Sequence, residues 1–124
     1  MSLYKGEIHR IPFVIPSTEL LAGTPINLVS PVAGYIKKAT AIVQTAVGTG
    51  GDITFKVGTT DVNGLTLTIE DSAAVGDIVT DTATALHASR AVDKDERIQV
   101  VPAAAFASTG AVNGYVEIET SEAP

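Results

Sequence analysis

From residue 34 onward, turn residues interrupt the chain every eight to twelve positions, and apolar and polar side chains alternate between the interruptions. Ile53, Phe55 and Val57 alternate with Thr54 and Lys56. Leu65, Leu67 and Ile69 alternate with Thr66, Thr68 and Glu70, and Val116 and Ile118 with Glu117 and Glu119. A period of two sends successive side chains to opposite faces of a strand, so each segment has one face to bury. Short strands at this spacing build a sandwich or barrel, not a βαβ fold. Composition points the same way, because Val (14), Ile (11) and Thr (15) supply 40 of 124 residues, and β-branched side chains favour strands. The length allows one domain.

Strands are expected near residues 5–15, 25–30, 35–47, 52–58, 65–70, 75–81, 96–102 and 112–120. Phe55, Val57, Leu65, Leu67, Ile69, Ile98, Val100, Val116 and Ile118 should share one core. Asn63-Gly64 lies between two alternating runs and reads as a type I′ hairpin turn, which needs positive φ at both central residues. Extending that register places Lys56 on the apolar face, because a slip of one residue reverses every side chain. A bulge within Gly58-Thr59-Thr60 would remove the conflict; so would a turn at residues 58–61 with Val62 in an irregular link. Residues 82–94 read as a long loop carrying a short strand or turn, and residues 102–110 as a surface connection.

The first 33 residues differ from the rest. They hold four of the six prolines and a set of long apolar side chains that includes Ile8, Ile11, Phe13, Val14 and Ile15. Proline removes backbone donors and favours extended geometry before it. Two readings stay open: an edge strand and loop packed on the domain's own core, or an arm that reaches a partner. Residues 34–120 supply six strands, enough for a core without the arm. The arm reading divides the chain into residues 1–24 (arm), 25–120 (β-sandwich) and 121–124 (tail).

Chemistry-bearing residues are sparse. There is no cysteine, hence no disulfide and no thiolate metal site. His9 and His87 have no second ligand at metal spacing, and each reads as a surface or interface residue. Asp93, Asp95 and Glu96 surround Lys94 without the glycine of a calcium loop. Asp71-Ser72 and Ser89-Arg90 offer no base placed to activate the hydroxyl, so a serine nucleophile is not supported. Gly48-x-Gly50-Gly51 lies between strands and matches no nucleotide loop. Neither catalysis nor a cofactor, metal or small-molecule substrate is therefore expected. A formal net charge of −6 with no basic run argues against nucleic acid. No apolar run approaches the roughly 18 residues of a membrane helix, and residues 1–7 lack the apolar core of a secretory leader.

The run Val29-Ser30-Pro31-Val32-Ala33-Gly34-Tyr35-Ile36-Lys37-Lys38-Ala39 is followed by Gly50-Gly51-Asp52-Ile53-Thr54-Phe55-Lys56-Val57-Gly58, then Gly64-Leu65-Thr66-Leu67-Thr68-Ile69, Ala74-Val75-Gly76-Asp77 and Arg97-Ile98-Gln99-Val100-Val101. This order resembles small β-rich proteins of tailed bacteriophages, in which a jelly-roll domain decorates or cements the capsid. The resemblance covers about residues 25–120. In Val92-Asp93-Lys94-Asp95-Glu96-Arg97-Ile98 the glycine that such proteins place before the penultimate strand is missing. The resemblance implies a jelly-roll-like β-sandwich of about eight antiparallel strands with an extended N-terminal arm. It implies a virion protein, made in the host cytoplasm, that binds the outer capsid surface and bridges subunits of the major capsid protein, self-associating there as a dimer or trimer. Tyr4, Ile8, His9, Arg10, Ile11 and Phe13 are the candidate contacts. The alternatives are a carbohydrate- or receptor-binding β-sandwich of a phage tail or fibre, which calls for exposed aromatics or an acid-lined metal site, and a small hydrolase on a β-scaffold, which calls for a convergent His/carboxylate or Ser/His pair.

Overall fold

The computed structural model describes residues 7–83 and 90–120. In chain order the elements are β1 (Ile8–Ile15), α1 (Ser17–Ala22), β2 (Ile26–Val29), β3 (Gly34–Thr45), β4 (Gly51–Val57), β5 (Thr60–Ile69), β6 (Ile78–Thr82), β7 (Ala91–Val92), β8 (Arg97–Pro102) and β9 (Ala111–Thr120). All eight expected strands are present, and α1 and the two-residue β7 add to them. One sheet runs β1-β9-β3-β6, with β7 also paired to β3. The other runs β2-β8-β4-β5. All pairings are antiparallel. Each sheet alternates early and late strands, as in a jelly roll. Only β4 and β5 pair as sequence neighbours, so the chain crosses repeatedly between two layers.

The alternation in the sequence decides which faces meet. All nine side chains expected to share a core are buried between the sheets, together with Phe13, Ile15, Leu20, Ile36, Val43, Ile53 and Val112. Phe13 of one sheet meets Phe55 of the other edge-on, with ring centroids 6.3 Å apart and planes at 64°. That arrangement adds about 0.5–1.5 kcal/mol to the burial itself. Asp81 also points inward from β6, and its Oδ2 accepts the Thr66 amide of β5 at 2.9 Å. The carboxylate thus ties the two layers at their open side.

The β4–β5 hairpin differs from the first expectation. Val57 pairs with Thr60, so the turn is Gly58-Thr59, where Gly58 has φ +60°. Asn63-Gly64 lies inside β5, in an irregular stretch where Phe55 faces the four residues between Asp61 and Thr66. The irregularity buries both Val62 and Leu65 and turns Lys56 outward toward Asp61, 3.7 Å away. The alternative expectation holds in part: the turn does begin at Gly58, but it ends at Thr59, and Thr60, Asp61 and Val62 belong to β5. Before β8, Asp95 takes φ +68° in the turn where the resemblance implies a glycine. Aspartate is among the few residues that tolerate this region.

The N-terminal segment is a correction. Residues 8–15 are not an arm apart from the sandwich but its edge strand, paired one-to-one with β9 from Ile8↔Glu119 to Ile15↔Val112. Two facts account for this. Phe13 and Ile15 fill the core at 2% and 0% exposure, and Leu20 of α1 is fully buried behind them. In addition, the backbone of β9 has no other partner on that side, and buried ladder groups must be paired. The helix α1 follows Pro16, carries Glu19 in its first turn and ends at Gly23, a start-and-stop signature present in the sequence.

Candidate partner-binding surface

The outer face of the β1-β9-β3-β6 sheet carries charged and apolar side chains together. The β1–β9 ladder explains how it is built. The Thr120 amide donates to the Glu7 carbonyl at 2.9 Å. Hydrogen-bonded and non-hydrogen-bonded pairs alternate from that point, so Ile8, Arg10, Pro12 and Val14 fall in the non-hydrogen-bonded pairs, where opposing side chains approach most closely. Their side chains face outward and their backbone nitrogens face the free edge. Pro12 therefore removes one donor from that edge, which blunts it against pairing with another strand.

Opposite Arg10 stands Glu117. Its side chain is only 7% exposed, although it lies on the outer face, and its Oε2 accepts from Arg10 Nε at 3.2 Å. The Arg10 guanidinium also lies 4.7 Å above the centre of the Tyr115 ring, a cation–π contact. Across β9, Lys38 pairs with Glu117 in register. A bulge in β3 between Ile36 and Lys38 makes Lys37 the extra residue. Ile36 and Ala39, three apart, can therefore both be buried, while Lys37 reaches Glu119 at 3.6 Å. Without the bulge, period two would drive one lysine inward. The other end of the face is apolar. Val14 (56% exposed) and Ile78 (67% exposed) flank a groove of about 400 Å³ lined by Thr40, Ile42, Asn113, Gly114 and Tyr115. A second groove, of about 380 Å³, opens at the charged end between Tyr35, Lys37, Thr82, Arg90, Glu119 and Thr120.

The six residues singled out from the sequence fare differently. Ile8 and Arg10 lie on this outer face. His9 turns the other way, half-buried, with Nε2 3.4 Å from Glu7 Oε2. Ile11 packs against the core. Phe13 is buried within the core and can touch no partner while the domain stays folded. Tyr4 lies outside the described residues, as does His87. Pro12, Val14, Tyr115 and Arg90 were missed. For Val14 and Tyr115 a signal existed, since each sits out of phase with the buried residues of its own strand. The outer face of the second sheet is mostly polar and self-satisfied: Gln99 donates to Asn27 at 3.1 Å, and Thr68 to Asp52 at 2.9 Å. Among the described residues no three metal-ligating side chains converge, and no helix is long and apolar enough to cross a membrane.

No protein-family model and no curated protein sequence matches the chain. Among solved structures it is similar to a chain in the capsid of Ralstonia phage GP4. The match covers 100% of this chain and 90% of that one, with a TM-score of 0.58 and 18% sequence identity. It is also similar to CsCBM6-3 from Clostridium stercorarium, solved in complex with cellobiose, over 95% of this chain and 83% of that one, with a TM-score of 0.47 and 15% identity. The first likeness establishes the β-sandwich fold across the whole chain.

Proposed function

We propose that this chain is a structural protein of a tailed-phage virion that binds the outer surface of the capsid and stabilises the shell by bridging major capsid protein subunits. The observation that carries this reading is the whole-chain fold likeness to a chain of a phage capsid. The exposed face of the β1-β9-β3-β6 sheet supports it, because charge and apolar area lie side by side there, as they do at surfaces that bind other proteins. Ile8 and Arg10 contribute to the contact from β1. Association of the protein as a dimer or trimer on the lattice multiplies modest contacts into firm attachment. The experiment is to mix the purified protein with undecorated capsids and sediment them. Saturable, stoichiometric co-sedimentation and a higher disassembly temperature of the decorated shell are expected. No binding at micromolar protein would refute the proposal.

A further inference from the structure

The distribution of cations carries an inference that rests on the capsid-binding reading and names the chemistry of the contact. The chain has eight Lys and Arg residues against fourteen Asp and Glu. Four of the eight, Arg10, Lys37, Lys38 and Arg90, gather at one end of the outer face of the β1-β9-β3-β6 sheet. Among the described residues, Glu117 and Glu119 oppose them there, and these engage Arg10 and Lys37. Lys38 and Arg90 have no carboxylate partner among the described residues. Arg90 closes the groove lined by Tyr35, Lys37, Thr82, Glu119 and Thr120, in which the Glu119 carboxylate is engaged by Lys37. Its Nη1 donates to the Ile36 carbonyl at 3.2 Å, which anchors the side chain, whereas its Nε is buried with no hydrogen-bond partner. That Nε is closed off from solvent, so an incoming group meets the terminal nitrogens, whose two N–H groups side by side match the two oxygens of a carboxylate. Outside this patch the chain carries 8 − 4 = 4 Lys and Arg against 14 − 2 = 12 Asp and Glu, so an acidic surface is repelled less here than by the remainder of the molecule.

We propose that this groove receives a carboxylate side chain of the capsid subunit, with Arg90 as its fork and Lys38 as a second cation beside it, so that this patch sets the orientation in which the sandwich docks. Two measurements on the full chain test it. In the first, undecorated capsids are titrated with wild type, Arg90→Gln, Arg90→Lys, Lys38→Glu and, on the opposite sheet, Lys56→Glu. Arg90→Gln and Lys38→Glu should each weaken binding about tenfold or more, as loss of a desolvated charge pair does, Arg90→Lys should fall between, and Lys56→Glu should bind like wild type. In the second, a hexaglutamate peptide and, separately, inorganic phosphate are added to labelled protein while the Arg Nε–H resonances are followed by NMR. Hexaglutamate should shift Arg90 and the amides of Lys37 and Thr82, and the shifts should vanish in Arg90→Gln. Capsid binding unchanged in both Arg90→Gln and Lys38→Glu overturns the inference and leaves the capsid reading intact, as does a response to phosphate alone. Conversely, if wild type binds no capsids but hexaglutamate still maps to the groove, the capsid reading fails and the carboxylate site stands. A circular-dichroism melt of each variant separates a lost contact from a fold defect, and Lys38, half-exposed on the outer face, gives a second position to test if an Arg90 variant is destabilised.

Discussion

At the scale of single residues, close backbone approach is as demanding as hydrophobicity. Gly114 lies in the middle of β9, opposite Phe13 on one side and Ala41 on the other. A Cβ there would overlap the Thr40 carbonyl oxygen and come within 2.7 Å of Phe13 Cζ. Neither the backbone of β3 nor a ring locked against Phe55 can give way cheaply. Overpacking of this kind usually costs about 1–3 kcal/mol, and backbone overlap places Gly114→Ala at the upper end. A clear drop in melting temperature is expected by circular dichroism; an unchanged melt would mean that β3 and β9 lie further apart than described. Nothing in the sequence pattern marks this glycine, because it occupies an apolar-phase position of an otherwise regular strand.

At the scale of elements, β1 decides between the two readings of the N-terminus. Its eight residues pair along their whole length with β9, and its alternate side chains enter the core. Phe13→Ala should therefore cost about 3–5 kcal/mol, measured by chemical denaturation. Removal of residues 1–20 takes away β1 and the buried Leu20, and leaves β9 as an unpaired edge. That variant is expected to lose its cooperative melt altogether. Should it melt cooperatively near the wild-type temperature, β1 would be a detachable arm after all. The sequence left this choice open because Pro12 and Pro16 read equally well as arm-like and as features of an edge strand.

At the scale of the whole molecule, the strand order is the dominant fact. Every ladder except β4–β5 joins segments distant along the chain, so loop closure must precede most of the stabilising contacts. Folding in the millisecond-to-second range is expected, the usual range for β-sandwiches rich in non-local pairs. Stopped-flow refolding should give one main exponential, and a main phase in microseconds would contradict the topology.

What the sequence determined by itself was local: the β class, the positions of eight strands, and which side of most strands is buried. These follow from a period of two, from β-branched content and from turn residues, and each needs only neighbours a few residues away. The tertiary structure decided what depends on distant partners. Gly58-Thr59 became the hairpin turn and Asn63-Gly64 an irregularity because both Val62 and Leu65 had a core to fill. Lys37 was pushed into a bulge because Ile36 and Ala39 both pack inward. The proposed binding surface was the least legible part. Arg10, Lys37, Lys38 and Arg90 are spread over eighty positions of the chain, and no spacing rule links them. They meet because β1, β9, β3 and β7 are hydrogen-bonded neighbours, an order set by how two amphipathic sheets cover each other and not by any local propensity.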